Sequence, residues 1–414
     1  MSKVLGIIAE YNPFHNGHLH HLQTSQSLIN ADYTVAIISG NFTQRGSTSI
    51  VDKWSKAKMA LNNGIDLVIE LPVLYSISSA ENFADGAIKI LNSLGIIDYL
   101  SFGAETTDIN SLRTIADILR TEPPEYKNIL STELDKGLSF PKAREKALLE
   151  YTSNLDNKLY FKNILSSPNN ILGIEYLKAL KKYNSTIKPL CIKRINAEYN
   201  SKNFSNNFGS ATAIRELIKN NDYNTIKKLT PECTYSILAD NLQNGSIVPE
   251  INIFEKEIIY NLRKMSIERI ANIPDVSEGL EFSIKKAANS CNNIKEFLDI
   301  TKSKRYTLTR LQRILLYVLL DISKEDIKLS KKIDTPYIRI LGFTENGKKL
   351  VSEIASKNSS LPLITSVKKF IDTNTDSNLN TMLKKDILAT NIYTLGYKKF
   401  SLSNLDFKKR IEEV

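Results

Sequence analysis

Val4-Leu5-Gly6-Ile7-Ile8-Ala9-Glu10-Tyr11-Asn12-Pro13-Phe14-His15-Asn16-Gly17-His18-Leu19 decides how the rest of the chain is read. Val4–Ala9 is a short apolar, partly β-branched run, as a strand buried on both faces tends to be. A polar loop with a proline follows, and a helical pattern begins at Gly17. Four histidines crowd this junction (His15, His18, His20 and His21), and the chain has no others. A loop that opens a helix leaves free N–H groups, and the helix dipole favours an anion there. Gly17 lets a phosphate approach the backbone, and His15 and His18 flank it as donors to phosphoryl oxygens. A metal site is the competing reading, but no carboxylate or thiolate partner lies nearby, so no metal ligand is assigned. His20 and His21 lie past the loop and read equally well as helix packing or exposed helix residues.

Further along, Tyr33–Ser39, Ile65–Leu71, Asp98–Phe102 and Ile187–Ile192 repeat the strand signature. Between them run helical patterns over Gly17–Ile29, Asp52–Asn62, Ala80–Ser93, Ser111–Leu119 and Asn170–Lys182. This βαβα order predicts an α/β fold, a doubly wound parallel sheet whose ligands bind outside the carboxyl ends of the strands. Near residue 222 the pattern changes. Phe254–Ile270 and Leu311–Leu320 read as helices, Tyr337–Phe343 is an isolated apolar run, and helical stretches return. The expected layout is a catalytic unit over residues 1–222 and a mostly helical region over residues 223–414.

Charge follows the same division. The net charge is +10, made of −4 over residues 1–150, +4 over residues 151–300 and +10 over residues 301–414. A basic excess confined to the C-terminal part points to a polyanion-binding surface there. Lys302, Lys304, Arg305, Arg310 and Arg313 form a basic cluster around Tyr306, a pattern suited to tracking phosphates and stacking a splayed base. The competing reading is a basic helix end packed on the catalytic unit. With 42% hydrophobic and 24% charged residues the composition is globular, not disordered or collagen-like. No run reaches the ~18 apolar residues of a membrane span. Three scattered cysteines form neither a zinc spacing nor a disulfide framework, so a cytoplasmic location is expected.

His-x-Gly-His after the first strand resembles the HIGH-motif nucleotidyltransferases. Gly209-Ser210-Ala211-Thr212-Ala213-Ile214-Arg215 is similar to their second signature, in which Ser210 or Thr212 caps the helix and presents a hydroxyl to phosphate and Arg215 neutralises the β- and γ-phosphates, so that Ser210 and Arg215 are expected ATP contacts. Longer stretches narrow this. They are Gly6–His18, Ser39–Gly46 with Val51–Trp54, Phe102-Gly103-Ala104-Glu105, Ser167–Gly173, Ile192–Ile195 and Thr301–Arg310. Together they resemble the bacterial tRNA(Met) cytidine acetate ligase family over nearly the whole chain. Ser47-Thr48-Ser49 departs from the acidic residue and proline expected after Gln44-Arg45-Gly46.

That resemblance implies a two-step reaction. ATP and acetate give acetyl-adenylate and pyrophosphate; N4 of the wobble cytidine (C34) of elongator tRNA(Met) then takes the acetyl group. It carries ATP contacts to Ile7, Ile8, Ala9, Glu10, Tyr11, Asn12, Pro13, Phe14, His15, Asn16, Gly17, His18, Leu19 and His20, and to Gly103, Asn169 (or Asn170), Arg194 and Ile195. His15 and His18 are the expected catalytic pair, Arg194 and Arg215 the triphosphate clamp, and Lys53 and Lys56 further candidates for it. Magnesium is expected to accompany ATP, although no carboxylate cage is evident. Two alternatives remain: an adenylyltransferase for a small phosphate or carboxylate, against which the basic extension speaks, and a non-enzymatic RNA binder, against which the intact motif speaks.

Overall fold

The computed structural model describes residues 2–153, 164–165, 167–194, 207–399 and 401–414. Its strands are β1 (Val4–Ala9), β2 (Tyr33–Ser39), β3 (Leu67–Leu71), β4 (Tyr99–Ala104), β5 (Lys188–Lys193), β6 (Ile338–Phe343), β7 (Leu363–Ile364) and β8 (Glu412–Glu413). They form one sheet in the order β5-β4-β1-β2-β3-β6-β7, with β8 pairing β6. The first five strands are parallel. Alternate side chains feed two cores: Ile8, Val35 and Ile37 on one face, Leu5, Ile7, Ala36 and Ile38 on the other. Burial on both faces is why these strands read as continuous apolar runs.

The chain lays β2 and β3 to one side of β1, then crosses back to place β4 and β5 on the other. The loops that leave β1 and β4 therefore diverge, and a crevice opens between them at the carboxyl ends. Helix α1 (Asn16–Ile29) starts at its rim. The helix Pro168–Lys182 follows nearby, starting with a proline whose missing N–H costs nothing there.

The expected boundary at residue 222 does not divide the sheet. Tyr337–Phe343, isolated in the sequence, supplies β6, which pairs antiparallel with β3 through Leu67↔Phe343 and Ile69↔Ile340. This covers an edge that would otherwise expose unpaired backbone. A buried charge cluster fastens the junction. From helix α2 (Lys53–Leu61), Lys53 Nζ lies 2.9 Å from Glu70 Oε2 on β3 and 2.7 Å from Asp406 Oδ1. Arg339 on β6 pairs with the same two carboxylates. Beside it, Asp386 accepts from the Tyr337 hydroxyl and from Val73 N–H.

The expected single helix Phe254–Ile270 is broken. Helix Glu255–Lys264 ends where Met265 turns extended (φ −63°, ψ 141°), and Ser266 caps a new helix, Ile267–Ala271, through Arg269 N–H. A serine hydroxyl satisfying a free N–H favours a helix start over continuation. Helices Pro124–Asp135 and Phe140–Tyr151 were not expected from the pattern.

Candidate active site

His15 is the N-cap of α1, and its Nδ1 accepts the Gly17 N–H at 3.0 Å. His18 Nδ1 accepts the His15 N–H at 3.3 Å, which closes a capping box made of two histidines. A neutral imidazole that accepts at Nδ1 carries its proton on Nε2. Both rings therefore offer an Nε2–H donor, and they stack with centroids 3.8 Å apart. Desolvation pulls the His15 pKa down to about 3, with the charges of Arg194 and Arg215 pushing the same way. His18 is held well below its usual value by desolvation first, then by His15 and Arg194. The pair is a neutral donor set at pH 7. Gly17 has a local reason as well: a Cβ there would meet the His15 ring at 2.9 Å.

The loop into α1 is tightly held. Tyr11 adopts φ 47°, a left-handed conformation uncommon for a tyrosine. Asn12 fixes the following turn, donating to Thr48 O at 3.1 Å and accepting from Ile50 N at 2.7 Å. Arg215 donates to Asn12 O at 2.8 Å and to Thr212 Oγ1 at 3.0 Å, while Ser210 caps Arg215's helix (Ala211–Lys219). The second signature thus packs against the first. Ile7, Ile8, Pro13 and Phe14 are buried framework, whereas Ala9, Glu10, Asn16, Gly17, His18, Leu19 and His20 are partly accessible.

Across the crevice, Gly103, next to last in β4, lies beneath Arg194, whose Cγ is 3.2 Å from where a Gly103 Cβ would stand. Glu105 and Arg45 act electrostatically on Arg194. Asn170 is buried and bonded at both ends of its amide: its Oδ1 accepts from Glu105 N and Thr106 N, and its Nδ2 donates to Ile164 O. Asn169 is partly accessible and donates to Glu105 Oε1 at 2.6 Å. Of the two, Asn169 is the one free to meet a ligand. Ile195 lies outside the described residues.

His21 is packing, not site. Ser25 Oγ donates to His21 O, so Ser101 Oγ donates to Ser25 and accepts from His21 Nε2–H at 2.9 Å. This chain pins α1 to β4. His20 sits one residue earlier, with Nε2 3.5 Å from Thr24 Oγ1.

Two expectations need correction. Lys53 and Lys56 do not face the crevice; both are fully buried. Lys53 belongs to the charge cluster with Glu70 and Asp406. Lys56 Nζ has the carbonyl oxygens of Glu10, Ser39 and Gly40 and Ser49 Oγ within 2.6–3.1 Å, more acceptors than its three N–H donors. It ties the end of β1 to the loop after β2.

The basic segment also divides. Lys302 and Lys304 are exposed and carry no ion pair among the described residues. Arg305, about half exposed, sits 3.3 Å from Glu278. Arg310 stacks over Tyr306 at 5.0 Å and donates to Asp275 O and Ser277 Oγ. Arg313 is turned inward, 11% exposed, and paired with Asp275 at 2.8 Å. Arg310 and Arg313 thus hold the 275–278 turn. The loop after β2 rests on this helix (Leu308–Leu319), with Gly46 against the Gln312–Arg313 backbone.

The HIGH Nucleotidyl Transferase family model matches residues 2–407. The chain is 49% identical to the tRNA(Met) cytidine acetate ligase of Caldanaerobacter subterraneus subsp. tengcongensis over 406 residues, 98% of each chain. The chain belongs to the tRNA(Met) cytidine acetate ligase family. The family's protein from Acetivibrio thermocellus is 45% identical over 99% of both chains. TmcAL of Thermotoga maritima superposes with a TM-score of 0.94 at 35% identity, covering 100% of this chain and 99% of that one. The same protein bound with alpha-thio ATP superposes at 0.92 with 34% identity. Family membership thus coincides with the paired donors at the rim of the crevice.

Proposed function

We propose that this protein is an ATP-dependent ligase that forms N4-acetylcytidine at the wobble position of elongator tRNA(Met). The observation that carries the reading is the stacked His15–His18 pair, two neutral donors at a helix N-terminus beside Arg194 and Arg215. Acetate is already ionised at pH 7 and needs no base to attack the α-phosphorus. What the first step needs is alignment and stabilisation of charge at the α-phosphate and departing pyrophosphate. Preorganised donors supply that without reorganising, and losing one such donor costs ~10²–10³ in rate.

ATP lies across the crevice in this reading, with the α1 loop on its phosphates, and Gly103, Asn169, Arg194 and Ile195 on the β4–β5 side. Arg215 reaches the phosphates from the β1 side. Among the described residues no group of three His, Cys, Asp or Glu forms a metal cage. Magnesium would enter on the nucleotide, and no step here depends on it. The region over residues 223–414 holds the tRNA, with Lys302, Lys304 and Arg305 as the phosphate contacts and Tyr306, Arg310 and Arg313 shaping the surface behind them.

The test is direct: purified protein, ATP, acetate and unmodified elongator tRNA(Met), with digested nucleosides analysed by mass. One acetyl group on cytidine, dependent on both ATP and acetate, is the expected result. Pyrophosphate release with another acid or phosphate, and no tRNA modification, would move the substrate to the adenylyltransferase alternative.

A further inference from the structure

Resting on the ligase reading, the second half-reaction raises a proton problem that the first does not. The cytidine N4 is an NH2 group whose lone pair is drawn into the ring. It attacks an acyl carbon productively only if a proton leaves as the N–C bond forms. His15 and His18 cannot take it, since each Nδ1 already accepts a backbone N–H and each Nε2 carries the ring proton. His21 is turned to Ser101 on β4, where its Nε2–H holds the packing of α1.

The carboxylates at the crevice differ in what they have left. Glu105 accepts from Asn169 Nδ2 on one oxygen and from Asn170 N on the other. Asp108 caps the helix Ile109–Thr121 with one oxygen and accepts the Ser111 hydroxyl on the other. Glu10 is different. Its Oε1 accepts the Gln44 N–H at 2.7 Å, and its Oε2 has no hydrogen-bond or ion-pair partner among the described residues. Its backbone is fixed by the bond from Lys56 to Glu10 O.

Position supports the same choice. Glu10 directly follows β1, at the switch between β1 and β4. The proposed ATP contacts Gly103, Asn169 and Arg194 come from the β4–β5 side. The Gly40–Ser49 loop, which rests on the helix behind the basic segment, comes from the β2 side. Glu10 stands between the two and is bonded to the second. Among the described residues, Lys56 from α2 and Tyr176 from the helix Pro168–Lys182 feel its carboxylate.

We propose that Glu10 is the general base of acetyl transfer, with Oε2 accepting the N4 proton as N4 attacks the acetyl carbonyl. The N4–C bond forms and the bond from acyl carbon to phosphate oxygen breaks. The electron pair leaves on AMP, and the proton on Glu10 passes to water as products depart. Nothing is oxidised or reduced, and no further reactant is needed.

Glu10→Gln keeps the side-chain length and an acceptor for the Gln44 N–H, so the loop stays seated. Two readouts are taken: acetate-dependent ATP–pyrophosphate exchange for the first step, and single-turnover acetyl transfer to tRNA for the second. Transfer is expected to fall by ~10²–10⁴-fold, the usual worth of a positioned base, and by at least about tenfold more than exchange. Glu10→Asp, which keeps a carboxylate, should lie between the parent and Glu10→Gln. Transfer at the parent's rate would overturn the proposal and give the proton to the departing phosphate. Equal loss of both steps would also overturn it, making Glu10 a nucleotide contact or a frame residue. A parent that exchanges pyrophosphate with acetate but acetylates no tRNA would fail the ligase reading itself, and this inference with it.

Discussion

Asp406→Asn tests the fastening between the C-terminal segment and the catalytic sheet. Lys53 and Arg339 share two carboxylates, Glu70 and Asp406, in a site where all four side chains are 0–5% exposed. At the 2.7 Å separation of Lys53 and Asp406, an effective dielectric of 20 gives ~6 kcal/mol of gross attraction. Most of that offsets the desolvation of the ions. Asparagine keeps the shape and one acceptor but leaves two buried cations with Glu70 as their one remaining ion-pair partner and Asp386 as a neighbour. Breaking such a pair from one side costs ~3–5 kcal/mol. Urea unfolding of parent and variant at pH 7 measures it. The loss should survive high salt, because buried pairs are poorly screened. A second substitution, Arg339→Met, removes the surplus cation and should recover part of the loss. A loss under ~1 kcal/mol, the range of an exposed pair, would refute this account. So would an Arg339→Met change that simply adds to the damage.

Other perturbations read the site. His15, with its pKa held at about 3, and His21, at about 4, stay neutral in the folded protein while the unfolded chain takes up protons below about 6.5. Stability is therefore full above that value and falls as pH drops toward 4. His21 alone contributes on the order of 3 kcal/mol to that fall, and His21→Gln should flatten urea-derived stability over that window. Arg194→Ala should raise the ATP concentration needed for half-maximal turnover; an unchanged ATP dependence removes it from the phosphates. Lys304→Ala with Arg305→Ala should weaken tRNA binding and lower its salt slope by roughly one per lost phosphate contact, and an unchanged slope places the tRNA elsewhere. His18→Ala should abolish pyrophosphate exchange and leave tRNA affinity largely intact; a matched loss of affinity would make His18 more than a catalytic donor.

The β1–α1 junction was legible because local chemistry sets it. An apolar run, a turn, then His-x-Gly-His fix a strand, a cap and a helix start within sixteen residues. What escaped the sequence depends on distant partners. Lys56 looks like a phosphate ligand on an exposed helix until Ser39, Gly40 and Ser49 close over it. Tyr337–Phe343 gives no hint that it lies antiparallel to β3, because its partner is remote in the chain. Arg313 reads like Lys304 until its pairing with Asp275 turns it inward. Glu10 was visible as part of a motif, but its open oxygen emerges only after Gln44 has claimed the other.

The late strand has a consequence for synthesis. β3, Lys53 and Glu70 are made early, yet β6, Arg339 and Asp406 follow far behind; Val73 waits 313 residues for the Asp386 carboxylate that binds its N–H. Through that interval a nascent chain carries a bare sheet edge and a lysine with half its counter-charge, the kind of exposed surface that invites mispairing. Domains usually settle from the N-terminus as they are translated, but this catalytic sheet cannot be finished first. A nascent chain arrested before residue 338 should be a client for chaperones that shield strand edges, and one extended past residue 406 should not.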